Sequence, residues 1–170
     1  MKTTHALLAA LAFATSIPAH AEETTLIAYP TLEETSFTIE VPDSWKMTEA
    51  ENGGDFFHLD GPTGAIFSFR TIEGSEGALQ AAIEDTMTHI GTLFTDIELG
   101  DAQDWTPGGL PGFYATGSGK DKDGTEVRIG VAWCALNDGK IAQMWFVSDA
   151  DDASGMASAE SIANSLASPQ

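Results

Sequence analysis

Apolar side chains in this chain change their spacing from segment to segment, and the order of those changes limits the fold more than any other feature. At residues 36–41 the alternation is strict: Phe37, Ile39 and Val41 fall on one side, Thr38 and Glu40 on the other. That is the pattern of a strand buried on one face. Between 76 and 94 the apolar positions are Leu79, Ile83, Met87, Ile90 and Phe94, close to the 3.6-residue turn of an α-helix. Strand-like segments return at 96–104, 112–117, 126–136 and 140–147. A second helical stripe, Met156, Ala159, Ala163 and Leu166, lies within 151–167. Strands, a long helix, more strands and a final helix read as an α+β fold with an antiparallel sheet, not as the βαβ alternation of a parallel one.

Turn chemistry supports the antiparallel reading. Pro42-Asp43-Ser44 ends the first strand, residues 45–49 return as a second, and Glu51-Asn52-Gly53-Gly54 turns the chain again. Gly61-Pro62-Thr63-Gly64 joins 55–60 to 65–72 as a hairpin, and Pro107-Gly108-Gly109 breaks the chain before 112–117. Asp123-Gly124 and Asp138-Gly139 supply the positive φ that tight hairpins require. Residues 22–35 read as a short polar lead into the first strand.

The N-terminus carries an address. Lys2 precedes an apolar stretch over 6–17, followed by Pro18-Ala19-His20-Ala21 and then Glu22-Glu23. A basic start, an apolar centre and an Ala-x-Ala end predict a secretory signal peptide. The stretch is shorter than the roughly 20 residues of a membrane span. The expectation is cleavage between Ala21 and Glu22, leaving residues 22–170 as one periplasmic or secreted domain, with its core at about 35–166 and no membrane insertion of the mature form.

Charge and cysteine usage exclude several functions. With 26 acidic and 7 basic residues the formal charge is −19, which opposes binding to phosphate backbones and hence to nucleic acid. One cysteine, Cys134, allows no internal disulfide, and its apolar surroundings, Val131-Ala132-Trp133 and Ala135-Leu136, predict a buried, inert thiol. Gly117-Ser118-Gly119-Lys120 superficially resembles a phosphate loop, but Tyr114 stands where its first glycine belongs and Asp121 where a Ser or Thr should follow the lysine. Asp121, Asp123 and Gly124 match part of a calcium loop, but its first and last positions are Gly119 and Gly130. Asp151 and Asp152, before the last helix, suit the positive end of a helix dipole without any metal. These four aspartates are therefore weak cation candidates, and no metal or cofactor is assigned.

Two histidines follow the leader. His89 lies four residues after Asp85 on one helix, a spacing that allows an exposed pair. His58 and Asp60 share a strand face, with Ser68 or Arg70 across the hairpin, but the sharp turn that presents a nucleophilic serine is missing. Trp133 and Trp145 alternate with valines and read as core. Trp45 and Trp105 follow turns and, with His58, are the candidates for a ligand or partner surface.

Taken together, the opening Phe37-Thr38-Ile39-Glu40-Val41-Pro42-Asp43-Ser44-Trp45, the Asp60-Gly61-Pro62 hairpin, the long helix, the two Asp-Gly hairpins and the closing Asn164-Ser165-Leu166 resemble a PsbP-like domain. That superfamily also contains the Ran-binding protein Mog and many exported bacterial proteins. The resemblance implies an antiparallel sheet between helices, an α/β/α sandwich, and a non-enzymatic binding or assembly role. It carries over no photosystem- or Ran-binding motif and no site residue. The expected function is a non-enzymatic exported domain that contacts an unknown protein partner in the cell envelope, in its assembly or maintenance. A small-ligand or divalent-cation binding module is the alternative, and an unrecognised hydrolase the third reading.

Overall fold

The computed structural model describes residues 22–49 and 56–170; the expected leader and the turn at 51–54 lie outside them. In chain order the strands are β1 (Thr24–Tyr29), β2 (Phe37–Pro42), β3 (Lys46–Glu49), β4 (Phe57–Asp60) and β5 (Ile66–Glu73). Helix α1 (Glu76–Leu93) follows, then β6 (Thr95–Leu99), β7 (Gln103–Trp105), β8 (Gly112–Lys120), β9 (Glu126–Ala135), β10 (Lys140–Asp149) and α2 (Ala153–Asn164). Among the described residues one antiparallel sheet runs β3-β4-β5-β10-β9-β8-β6, with β7 on the other part of β8, and β1 and β2 form a separate ribbon. The α+β class and the helix-flanked antiparallel sheet expected from the sequence are both present. No helix among the described residues is long and apolar enough to cross a membrane.

Alternation along the strands divides the core into two layers. One face of the sheet presents Leu59, Phe67, Phe69, Ala132, Met144 and Phe146 to α2 and to Phe37, Ile39 and Val41 of the ribbon. The other presents Ile129, Val131, Trp133, Trp145 and Val147 to Ile90 of α1. Asp123-Gly124 and Asp138-Gly139 close the expected hairpins, both glycines at φ +83.

The structure departs from the sequence reading in several places. The supposed polar lead contains β1, which pairs with β2 from Thr24–Pro42 to Tyr29–Phe37. Its outward positions are Thr24, Leu26 and Ala28, so it offers little apolar alternation to detect. The segment after β2 does not return along it, because burial of Trp45 carries the chain into the main sheet, where β3 pairs with β4. The strand expected over 96–104 is two strands on β8, separated where Gly100 N–H bonds Thr116 C=O (2.9 Å) and bulged beside Asp96, whose φ is +52. Asp is one of the residues that tolerates that left-handed conformation.

Helix α1 starts where Ser75 caps it, the hydroxyl accepting the Ala78 N–H at 3.2 Å. Its closest contacts are not only the large residues of the predicted stripe. Ala82, Thr86 and Ile90 are the buried positions, while Leu79, Ile83 and Phe94 flank them. Thr86 tolerates burial because its hydroxyl donates to Ala82 C=O at 2.8 Å. Helix α2 begins at Ala153 rather than 151 because Asp152 is its N-cap, accepting from Gly155 N–H at 2.9 Å.

Under α1 the sheet carries a polar network. Gln143 is fully buried; its Oε1 accepts from Arg70 Nε (2.7 Å), while its Nε2 donates to Thr86 Oγ1 and to Ala82 C=O (3.4 Å). Arg70 also reaches Asp85 (3.2 Å) and lies 4.4 Å from the Phe56 ring centroid. At the next strand position toward the edge, His58 Nδ1 bonds the buried Ser68 Oγ at 2.7 Å, and both His58 and His89 approach Trp145 edge-on. The His58 imidazole is held below its usual 6.5, chiefly by burial, with the Asp60 carboxylate opposing and His89 adding to the effect.

Two outcomes follow from this layer. Gln143→Leu should lower stability by about 1–3 kcal/mol in urea unfolding, because it takes away the acceptor of the largely buried Arg70 Nε–H; an unchanged midpoint would mean that the guanidinium does not depend on the amide. For His58, the folded chain binds fewer protons than the unfolded chain at pH values between its lowered pKa and 6.5. Stability should therefore fall as the pH drops through that window, and His58→Gln should flatten the fall. Equal slopes for both proteins would remove His58 as its source.

Candidate functional site

Two local features prepare a hollow on the α2 face of the sheet. Downstream of β7, Pro107-Gly108-Gly109 forms a single 3-10 turn in which Gly108 takes φ +55. A Cβ there would lie 2.9 Å from the Leu166 carbonyl oxygen, so glycine lets the turn press against the end of α2 and bring Trp105 beside that helix. The second feature is Gly130 on β9. A Cβ at that position would sit 2.1 Å from Phe146 Cζ. Without one, the Phe146 ring lies across the β9 backbone, stacked on Phe67 with centroids 6.1 Å apart and planes 11° apart.

The result is a cavity of about 200 Å³ lined by Trp105, Tyr114, Thr116, Ala132 and Phe146 of the sheet and by Glu160, Ala163 and Asn164 of α2. Its polar atoms are partly committed. Trp105 Nε1 donates to Asn164 Oδ1 at 2.8 Å, and the Tyr114 hydroxyl donates to Gln103 Oε1 at 3.1 Å. Both aromatic side chains are thereby held in place by their own donors. Glu160, one turn before Asn164, is exposed and has no hydrogen-bond or ion-pair partner among the described residues. The hollow is apolar and aromatic inside with a single carboxylate at its mouth, an arrangement that suits the binding of a small group.

A larger trough of about 530 Å³ runs between α1 and β5, but it is shallow and its cations are paired: Arg70 with Asp85 and Lys140 with Asp138 (3.4 Å). A third, of about 350 Å³, lies between the ribbon and the β3 edge, with Ile27, Trp45 and Met47 among its lining residues.

Of the residues singled out from sequence, Trp105 lines the aromatic cavity. Trp45 is buried, its indole N–H donating to Ser158 Oγ of α2 at 2.9 Å; it ties the β2–β3 turn to the helix. His58 lies on the opposite face of the sheet from both. Ser68, as anticipated, stands directly across the hairpin from His58, but it is completely buried and out of reach of a substrate. Asp60 instead accepts from the Thr48 hydroxyl at 3.3 Å. The helical pair suggested for His89 and Asp85 is replaced by the Arg70–Asp85 contact, since His89 turns onto Trp145.

The acidic candidates serve their own turns. Asp121 accepts the backbone N–H groups of Asp123 and Thr125, both at 2.8 Å, while Asp123 and Asp151 are exposed. Asp152 caps α2 and accepts from the Thr63 and Ser154 hydroxyls, which hold its carboxyl below the usual range, Thr63 foremost. Among the described residues no three His, Cys, Asp or Glu side chains converge as a metal would require. Cys134 is buried, and that burial pushes its thiol up to about 11.

Tyr114, Thr116, Phe146, Glu160 and Asn164 escaped the sequence reading. One available signal was Gly130, a small residue within a strand of bulky ones. Another was the i, i+4 spacing of Glu160 and Asn164 on the flank of a helix whose other face is apolar.

No protein-family model matches the chain, and no curated protein matches it in sequence. Solved structures do. Cyanobacterial PsbP (CyanoP) from Synechocystis sp. PCC 6803 is similar at a TM-score of 0.58 and 13% identity, over 88% of this chain and 96% of that one. The Saccharomyces cerevisiae Ran-binding protein Mog1p is similar at 0.55 and 14%, over 87% and 96%. A Bacteroides thetaiotaomicron protein is similar at 0.54 and 14%; 79% of this chain is covered, and it spans only 46% of that longer one. At such identities the likeness is one of backbone architecture. The chain has the Mog1/PsbP-like fold.

Proposed function

We propose that this protein is a non-enzymatic exported domain that works through contact with a protein partner in the cell envelope, and that the face formed by β7, β8 and α2 makes the contact. The observation that carries this reading is the aromatic hollow with the unpaired Glu160 at its mouth. Aromatic side chains at a partly exposed, rigidly held site are what protein recognition uses to anchor a partner. The fold is shared with a protein named for binding Ran, which favours binding over catalysis, and in the His58–Ser68 pair the serine is completely buried. Export rests on the basic, apolar and Ala-x-Ala parts of residues 1–21.

The volume of the hollow also favours a second reading, a small-molecule ligand, since about 200 Å³ is below the usual range of roughly 300–1,000 Å³ for drug-sized ligands but sufficient for a smaller one. A divalent cation has less to recommend it, because Asp121 and Asp152 are already engaged by donors of their own turns.

Export is tested by expressing the full chain in a Gram-negative host and reading the N-terminus of the periplasmic form by mass spectrometry. A start at Glu22 is expected; retention of Met1 in the cytoplasm would overturn the address. For the contact surface, a photo-crosslinking residue at Thr116 should yield a discrete protein adduct in intact envelopes that Trp105→Ala abolishes. The same probe at Glu84, on α1 beyond the opposite face, should yield none. Adducts from both positions, or from neither, would remove this face as the contact.

A further inference from the structure

We infer that the hollow between β8 and α2 receives an arginine side chain of the partner. The inference rests on the protein-contact reading above and specifies its chemistry.

The lining residues select by charge, by hydrogen-bonding capacity and by size. Trp105, Tyr114 and Phe146 present aromatic rings, whose faces attract cations, and the only ionic group on the lining is the Glu160 carboxylate. The two strongest donors at the site are already used: the Trp105 indole N–H on Asn164 and the Tyr114 hydroxyl on Gln103. What remains is acceptor capacity on Glu160, the Tyr114 oxygen and Thr116 beside the neutral Asn164 Nδ2 donor, so the carboxylate decides the selection and the complementary occupant is positively charged with donors of its own. A formal charge of −19 over the chain adds a long-range field of the same preference. A guanidinium is flat, stacks on aromatic rings and carries five donors. A hollow of about 200 Å³ holds one such side chain and not a larger ligand. An ammonium would meet the charge requirement, but it has no plane to lay against Trp105 or Tyr114.

The test titrates the full-length protein with a capped Gly-Arg-Gly peptide and follows indole N–H resonances by NMR, with Trp105 identified by the signal lost in Trp105→Phe. A capped Gly-citrulline-Gly peptide has nearly the same shape without charge, and tetramethylammonium chloride is a cation without the guanidinium plane or the peptide. The arginine peptide should shift the Trp105 signal in a saturable way, and the other two should fail to compete. Glu160→Gln, at an exposed position, should weaken arginine-peptide binding about 3- to 10-fold, the range expected for one partly desolvated cationic contact. Glu84→Gln, which removes the same charge on the far side of the sheet, should leave it unchanged.

Equal binding of the citrulline peptide would overturn the proposal, as would equal weakening by both Glu→Gln variants, which would mark bulk charge alone. Binding of tetramethylammonium but not of the arginine peptide would assign the hollow to a free organic cation and overturn it too. If the arginine peptide leaves Trp105 unmoved while the Thr116 cross-link persists, the arginine occupant is wrong and the protein-contact reading stands.

Discussion

The architecture depends on two adjacent strands that are buried on both faces. Val127 and Ile129–Cys134 of β9 and Ala142–Ser148 of β10 have almost no exposed surface. A sheet centre of that kind cannot face water on either side, since each buried large apolar side chain is worth about 1.5–3 kcal/mol relative to exposure. One cover is therefore not enough. Helix α1 shields Ile129, Val131, Trp133 and Trp145 on one face, and α2 with the β1–β2 ribbon shields Ala132, Met144 and Phe146 on the other.

Polar contacts then fix where the covers sit. Helix α2 is tied by three side-chain hydrogen bonds from separate parts of the chain: Thr63 to Asp152 at its start, Trp45 to Ser158 in its middle and Trp105 to Asn164 at its end. Beyond it, Thr38 and Ala167 exchange backbone hydrogen bonds at 2.7 and 3.0 Å. A helix held at both ends by such directional contacts is set in register on the sheet, which apolar packing alone leaves loose. The hollow beside Trp105 lies in that layer: Ala159 and Ile162 are buried in the core, while Glu160 and Asn164 line the opening.

Much of this was legible in the sequence because it is local. The strict alternation of Phe37, Ile39 and Val41, the Asp-Gly turns and the near-3.6 spacing through α1 each depend on residues within a few positions of one another. What was missed depends on distant partners. Strand β1 has only Ile27 and Tyr29 facing inward, and its existence is decided by β2. The buried line of α1 runs through Ala82 and Thr86 because Gln143, some sixty positions away, fills the space beneath them. The roles of Trp45 and Trp105 could not be separated because both stand beside turns: one meets Ser158 inside the core, and the other stops at the rim beside Asn164.

By itself, then, the sequence determined the class of the fold, its antiparallel hairpins, its acidity and the burial of its central tryptophans, since periodicity, turn residues and composition act at short range or over the whole chain. The tertiary structure alone decided that Gly130 would make room for Phe146, that Ser68 would be buried across the hairpin from His58, and that Trp105, Tyr114 and Glu160 would meet around one hollow. Those outcomes are set by strand register and helix placement, which bring together atoms that no spacing along the chain relates.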